Sequence, residues 1–213
     1  MSGHRRQLGI VGAGGCGREI QWLIEHCGVP TPAAFFESDE VWTARDVAGL
    51  PVLPLSRLEP SRWELVLALG DPASRRRLHA RLPVDMPYPT FVHPSVPPMK
   101  RVEIGVGVTI AAGSILTCDI RVGDQVQLNR ATNVGHDCVL GDFVTTAPGV
   151  SLSGNCELGA GVYLGTHACV RERVRIAAGA CIGMGAVVVG DINDAGTWVG
   201  NPARPLRRLD EHR

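Results

Sequence analysis

His136 and Asp137 stand side by side in the stretch VGHDCV, and Gly154 follows His136 by 18 residues. A neutral imidazole, with a free pKa near 6.5, is the usual general base at neutral pH, and a neighbouring carboxylate suits that role. A glycine leaves an open notch and a free backbone amide, the usual stabiliser of the oxyanion formed when a thioester is attacked. Asn129 precedes His136 by seven residues. Metal ligation is the competing use of the imidazole, with an ordinary surface histidine as the bland one. Neither His93 nor His167 lies at a spacing that brings a second imidazole to His136, so the reading includes no metal. A second group with chemical meaning is Gly12-Ala13-Gly14-Gly15-Cys16-Gly17, which fits G-x-G-x-x-G and suits a phosphate at a helix N-terminus. Glu37, twenty residues after Gly17, sits where an acidic residue holds a ribose.

Something must hold these residues in place, and the chain from Ile104 onward states what. It divides into fifteen hexads without an insertion, beginning IGVGVT, IAAGSI, LTCDIR, VGDQVQ, LNRATN, VGHDCV. The first position is Leu, Ile or Val in fourteen of the fifteen, Thr146 being the exception, and the fifth is small or β-branched throughout. Gly fills the second position in seven. A period of six fits neither a helix nor a meander. It fits short strands joined by tight turns, three hexads to a triangular coil, with Gly, Asn and Asp at corners of positive φ. Coils then stack at about 4.8 Å, and residues 18 apart lie over one another. His136 and Asp137 point outward under Gly154, with Asn129 on the neighbouring wall. Cys138 and Cys156, also 18 apart, point inward and stack as small apolar side chains.

Residues 1–90 read differently. Gln7–Val11 is a strand, Arg18–Cys27 a helix stopped by Gly28, Ala33–Phe36 a strand, Glu64–Leu69 a strand, and Ala73–Leu82 an arginine-rich helix. Strand, glycine loop, helix and strand describe a small Rossmann-like α/β unit. About 85 residues hold too small a sheet for a dinucleotide, so the loop reads as holding a smaller phosphate-bearing ligand, or as a purely structural turn. Pro83, Pro87 and Pro89 mark a linker. The expected domains are 1–90 and 91–213.

Composition narrows the classes further. Of 213 residues, 45% are hydrophobic and 20% charged, which suits a folded core. Twenty-one basic residues balance twenty-one acidic ones, and Lys100 is the single lysine, which argues against nucleic-acid and membrane partners. No apolar run approaches a bilayer span, and the start MSGHRRQLGIVGAGGCGRE lacks the apolar stretch of a signal peptide. Seven scattered cysteines suit a reducing, cytoplasmic setting.

The gapless hexads resemble the left-handed parallel β-helix of the hexapeptide-repeat acyltransferases, and the left-handed sense rests on that resemblance. With the α/β unit in front, the whole chain is similar to the bacterial sugar-nucleotide acyltransferases: the UDP-4-amino-sugar and perosamine N-acetyltransferases and the sialic-acid O-acetyltransferases. In that family an Asn, six further residues, and a His followed by Asp or Glu mark the catalytic coil, as Asn129 to His136-Asp137 do here. The resemblance implies acetyl-CoA as co-substrate, a nucleotide-sugar acceptor and a homotrimer with active sites between subunits. It implies His136 as base toward the sugar 4-amino group, Asp137 raising its basicity, and the Gly154 amide facing the thioester oxygen. Gly12, Gly14, Gly15, Cys16, Gly17, Glu37, Ser38, Gly70 and Asp71 would hold the nucleotide-sugar, with Cys16 where the family commonly has His. Thr145, Thr166, Met184, Pro202 and Arg204 would line the acetyl-CoA, the last two within the closing VGNPARPLRRL. An O-acetyltransferase and a non-catalytic trimeric binding module are the alternatives.

Overall fold

The computed structural model describes residues 6–29 and 31–206. The first five residues of the stretch read for a signal peptide, and Arg207–Leu209 of the closing motif, lie outside the described residues.

Two kinds of architecture follow one another, as expected. The first is a five-stranded α/β sheet: β1 (Gln7–Val11), α1 (Gly15–His26), β2 (Ala34–Glu37), β3 (Asp46–Val47), β4 (Leu50–Pro54), β5 (Trp63–Leu67) and α2 (Pro72–His79). Its order is β3-β4-β2-β1-β5, parallel except for the β3–β4 hairpin. That hairpin turns through Ala48 and Gly49, both at positive φ; Pro51 and Pro54 hide its strands from a reading of sequence pattern. Apolar side chains pack on both sheet faces, Ile10, Leu23, Ile24 and Phe35 on one and Val11, Phe36, Leu65 and Leu67 on the other.

The second is a left-handed β-solenoid with three parallel faces. One face carries strands such as Thr109–Ile110, Gln127–Leu128, Thr145–Thr146, Tyr163–Leu164 and Cys181–Ile182, and the α/β unit lies against it. It ends in Thr197–Val199, paired with an antiparallel strand, Arg204–Pro205. A second face presents Ile115, Asn133, Ser151, Cys169 and Val187, all uncharged. The third is charged, with Glu103 beside Arg121 and Glu157 beside Arg175, and Val139 between the two pairs. Partners 18 apart pair in register along the faces, so each coil sits squarely on the last. First- and fifth-position side chains fill the interior, including the stacked Cys138 and Cys156. The contact with Cys156, together with burial, pushes the Cys138 thiol up, so it stays protonated.

The corners correct one detail. Positive φ recurs at every fourth hexad position, from Gly107 to Gly185, whatever residue stands there. Gln125, Ala131, Phe143 and Arg173 adopt it alongside the expected Gly, Asn and Asp, because coil closure overrides the local preference. The seven second-position glycines answer a different need. A Cβ on Gly135 or Gly141 would lie 2.8 or 2.7 Å from a backbone nitrogen of the next coil, Gly154 or Ala160. Backbone cannot yield as a side chain can. Gly141→Ala is therefore expected to destabilise the rod by about 1–3 kcal/mol, the usual cost of overpacking; a denaturation midpoint equal to wild type would contradict this.

Candidate active site

His136 and Asp137 form the corner between the uncharged face and the charged one, and the imidazole is exposed. Its Nδ1 lies 2.7 Å from Asp137 Oδ2. A carboxylate at that distance accepts the Nδ1 proton and leaves the Nε2 lone pair free. Nε2 points at Gly154 on the coil above: a Cβ there would stand 2.5 Å from it. The Asn155 amide donates to the His136 carbonyl at 2.8 Å, which locks the two coils together, and the Gly154 amide donates to no backbone carbonyl among the described residues. An imidazole, its carboxylate partner and an amide free of backbone carbonyls thus share one edge. Cys118 lies one coil below, where the side chain of Asp119 pushes its thiol up.

The glycine loop divides into structural and open positions. Gly12 has φ of +109°, and a Cβ on Gly17 would overlap the Gly12 carbonyl oxygen, so both are needed to seat α1 on β1. Gly14 and Gly15 face open space. Gly14 is the N-cap and offers no side chain to the first-turn amides of α1. Those amides are available to an anion. Cys16 and Asn129 line one narrow cleft between α1 and the rod, with Thr109 and Gln127. Burial pushes the Cys16 thiol up, partly opposed by the nearby Arg75 guanidinium.

Arg75 went unread in the arginine-rich helix, yet it is fully buried. It donates to the carbonyls of Leu69, Gln125 (3.1 Å) and Phe143 (2.9 Å) and to the Thr145 hydroxyl (2.9 Å). Burial lowers its pKa to about 10, which leaves it a cation at neutral pH. This overturns the reading of Thr145 as an acetyl-CoA contact, since Thr145 is covered by the α/β unit and its hydroxyl is taken. Gln127, donating to the Leu67 carbonyl at 2.6 Å, makes a second such joint. The signal in the sequence was that Thr109, Gln127 and Thr145, 18 apart, are uncharged where the charged face has Arg and Glu.

Other expected residues are dispersed. Both Glu37 oxygens lie 2.8 Å from Arg45, so that carboxylate is already paired. Ser38 lines a separate hollow beside Asp39 and Arg81. Asp71 accepts from the Ser74 amide at 2.7 Å as the cap of α2, and hydrogen bonds from the Ser74 hydroxyl and then its amide lower the Asp71 pKa. With Gly70 it borders a groove of about 1010 Å³ between α2 and the rod. Thr166 and Met184 stack at one corner, above Pro148 and Arg130 and on the same edge as Asn129. Pro202 and Arg204 flank Ala203, whose amide donates to the Val187 carbonyl at the rod's last coil. Within one chain, then, Cys16, Asn129, Thr166 and Met184 share one edge, and His136, Asp137 and Gly154 occupy the next. Among the described residues no group of three or more His, Cys, Asp or Glu is placed to hold a metal ion, and no helix is long and apolar enough to cross a membrane.

Comparison with known proteins places these features in a group. Residues 7–82 match the PglD N-terminal domain. The GDP-perosamine N-acetyltransferase of Escherichia coli O157:H7 is 30% identical over 94% of this chain and 96% of its own length. The acetyltransferase domain of PglB from Neisseria gonorrhoeae, solved with acetyl coenzyme A, is 33% identical over 95% of this chain and 100% of that one, with a TM-score of 0.85. PerB from Caulobacter crescentus, solved with CoA and GDP-perosamine, is 31% identical over 94% and 97%, with a TM-score of 0.85. Longer relatives match only in part: the chain spans 34% of the length of the UDP-3-O-acylglucosamine N-acyltransferase of Caulobacter sp. (strain K31), at 35% identity over 117 residues.

A methyl group at Gly154 would press on Nε2, and the imidazole could clear it only by turning off Asp137, the carboxylate that makes Nε2 nucleophilic. Gly154→Ala is expected to fold normally while His136 reacts more slowly with diethyl pyrocarbonate than in the wild type. Equal rates, read by peptide mass spectrometry, would show that Nε2 does not face the notch.

Proposed function

The chain belongs to the bacterial hexapeptide-repeat sugar acyltransferases, and from that premise we propose that it moves an acetyl group from acetyl-CoA to the 4-amino group of a nucleotide-linked amino-deoxy sugar. The observation that carries the reading is the His136–Asp137 pair opening onto Gly154. The neutral acceptor amine attacks the thioester carbonyl while Nε2 of His136 takes the proton it sheds. The Gly154 amide donates to the oxyanion, and collapse expels the CoA thiolate, which recovers the proton from the imidazolium. Transfer is direct, with no acyl-enzyme. The chemistry of the edge favours this, since Cys138 and Cys156 face inward and the Cys118 thiol is held protonated.

Gly14, Gly15 and the uncapped first turn of α1 bind the phosphates of the nucleotide, and the sugar runs along the cleft of Cys16 and Asn129 toward the rod. No histidine lines that cleft among the described residues, and the edge's own imidazole, His167, lies two coils above Asn129, over Gly149. A second copy, docking its His136 edge against the first copy's Asn129 edge, supplies the base, and a homotrimer closes the arrangement so that every edge is used. The uncharged face, from Ile115 to Val187, fits such a contact, since charge is depleted at the core of interfaces. Thr166 and Met184, stacked on the Asn129 edge, then line the channel for acetyl-CoA.

The first test is mass spectrometry of reactions with acetyl-CoA and a panel of UDP-, GDP- and dTDP-4-amino-6-deoxy sugars. One acetyl group gained on one member is the expected result; gain only on hydroxyl acceptors would replace the amine. His136→Ala is expected to lose on the order of 10²–10⁴ in rate, and turnover like the wild type would end the assignment. Asn129→Ala and His136→Ala proteins, each strongly impaired alone, are expected to regain activity when unfolded and refolded together. Such complementation requires each site to draw on two chains, and its failure would return the site to one chain.

A further inference from the structure

Inside the rod, side chains with a hydroxyl occur among the described buried residues at three places only: Ser114, Thr132 and Thr146. Thr146 is also the one break in the aliphatic first position of the fifteen hexads. A polar group in an apolar interior costs stability unless it is fully bonded, and local rules tend to break at functional sites. All three hydroxyls converge on the backbone of one residue, Asn129. The Asn129 amide donates to Thr146 Oγ1 at 3.2 Å, and Thr132 Oγ1 lies 2.8 Å from Thr146 Oγ1. Thr132 Oγ1 donates in turn to the Asn129 carbonyl at 2.7 Å, where Ser114 Oγ adds a second bond at 3.1 Å. With Thr146 donating to Thr132, the bonds close into a ring that begins and ends on Asn129.

We infer that Thr146 and Thr132 are positioning residues for the acceptor site: their ring fixes the Asn129 backbone, and so aims its side chain into the cleft it shares with Cys16. The inference rests on the functional reading above. Neither threonine touches substrate. The ring explains why the rod departs from its own pattern here: other corners take single side-chain bonds, as where Asp124 and Asp142 accept backbone amides from outside, but among the described residues only this one joins buried hydroxyls into a closed ring. Ladder bonding remains at this corner too, from the Asn129 amide to the Thr146 carbonyl at 3.2 Å, so the ring adds aim rather than the fold itself.

Thr146→Val separates the two roles, because it supplies the β-branched apolar side chain that other first positions carry. Its thermal midpoint is expected to be no lower than wild type, while kcat for the acceptor falls about tenfold, as for one well-placed hydrogen bond lost, and the KM for acetyl-CoA stays. Thr146→Ser, which keeps the hydroxyl, is expected to restore kcat. In an Asn129→Ala background Thr146→Val is expected to cost nothing further. Wild-type kcat in Thr146→Val, or an equal loss in the Asn129→Ala background, overturns the inference. Thr132→Val is the second variant if Thr146→Val fails to fold. If the wild type acetylates no acceptor, the functional reading fails by itself, and amide exchange decides the ring: faster exchange at Asn129 in Thr146→Val sustains it, and an unchanged rate rejects it.

Discussion

A single buried guanidinium governs how the two halves of this molecule meet. Arg75 leaves α2, crosses to the rod and meets carbonyls from three separate turns, with no carboxylate among its hydrogen-bond partners. Taking a cation out of water is costly, and only near-complete, well-directed bonding offsets it. The arrangement is therefore intolerant of drift: if the α/β unit rocks, several bonds to a desolvated charge are lost together. Two of its acceptors, Phe143 and Thr145, belong to the coil that carries His136. Phe143 keeps a positive φ at that corner and sets its ring edge-on to His79 of α2, with centroids 5.5 Å apart. The glycine loop is thus held at a fixed height along the rod.

Stacking does the same service for His136. The imidazole, its carboxylate and the notch are spread over two coils, yet the register of 18 residues brings them together without any long loop. Glycine at 154 is what keeps the notch open, and glycine at 135 is what lets the two coils approach. One residue leaves room beside an imidazole and the other sets the spacing of the coils, and their identity in sequence conceals the difference.

Much of this is legible in the sequence because the solenoid repeats itself. Period six, inward aliphatics and the outward His136-Asp137 pair all follow from counting. The faces are legible too: the outward Thr109, Gln127 and Thr145 under the α/β unit are uncharged, while the third face carries Glu103, Arg121, Glu157 and Arg175 with Val139 among them. What counting misses is tertiary. Arg75 looks like any other arginine of SRRRLHARL, because its burial depends on where α2 lands. Thr145 looks like an open coil edge for the same reason. Glu37 sits at the right distance for a ribose, yet Arg45, eight residues on, reaches both its oxygens. The β3–β4 hairpin is hidden by Pro51 and Pro54, which stand near the two ends of β4 between a two-residue β3 and β2.

A stack of parallel coils is a one-chain version of the cross-β arrangement, and its last coil would offer a bare row of amides and carbonyls to the next molecule. Here the chain doubles back, and Arg204–Pro205 pairs antiparallel to Thr197–Val199. A reversed strand does not match the direction of an incoming coil, and Pro205 has no N–H to offer it. On this face the same contacts that make each coil welcome its neighbour would otherwise build a fibre, and one change of strand direction turns an incoming coil away.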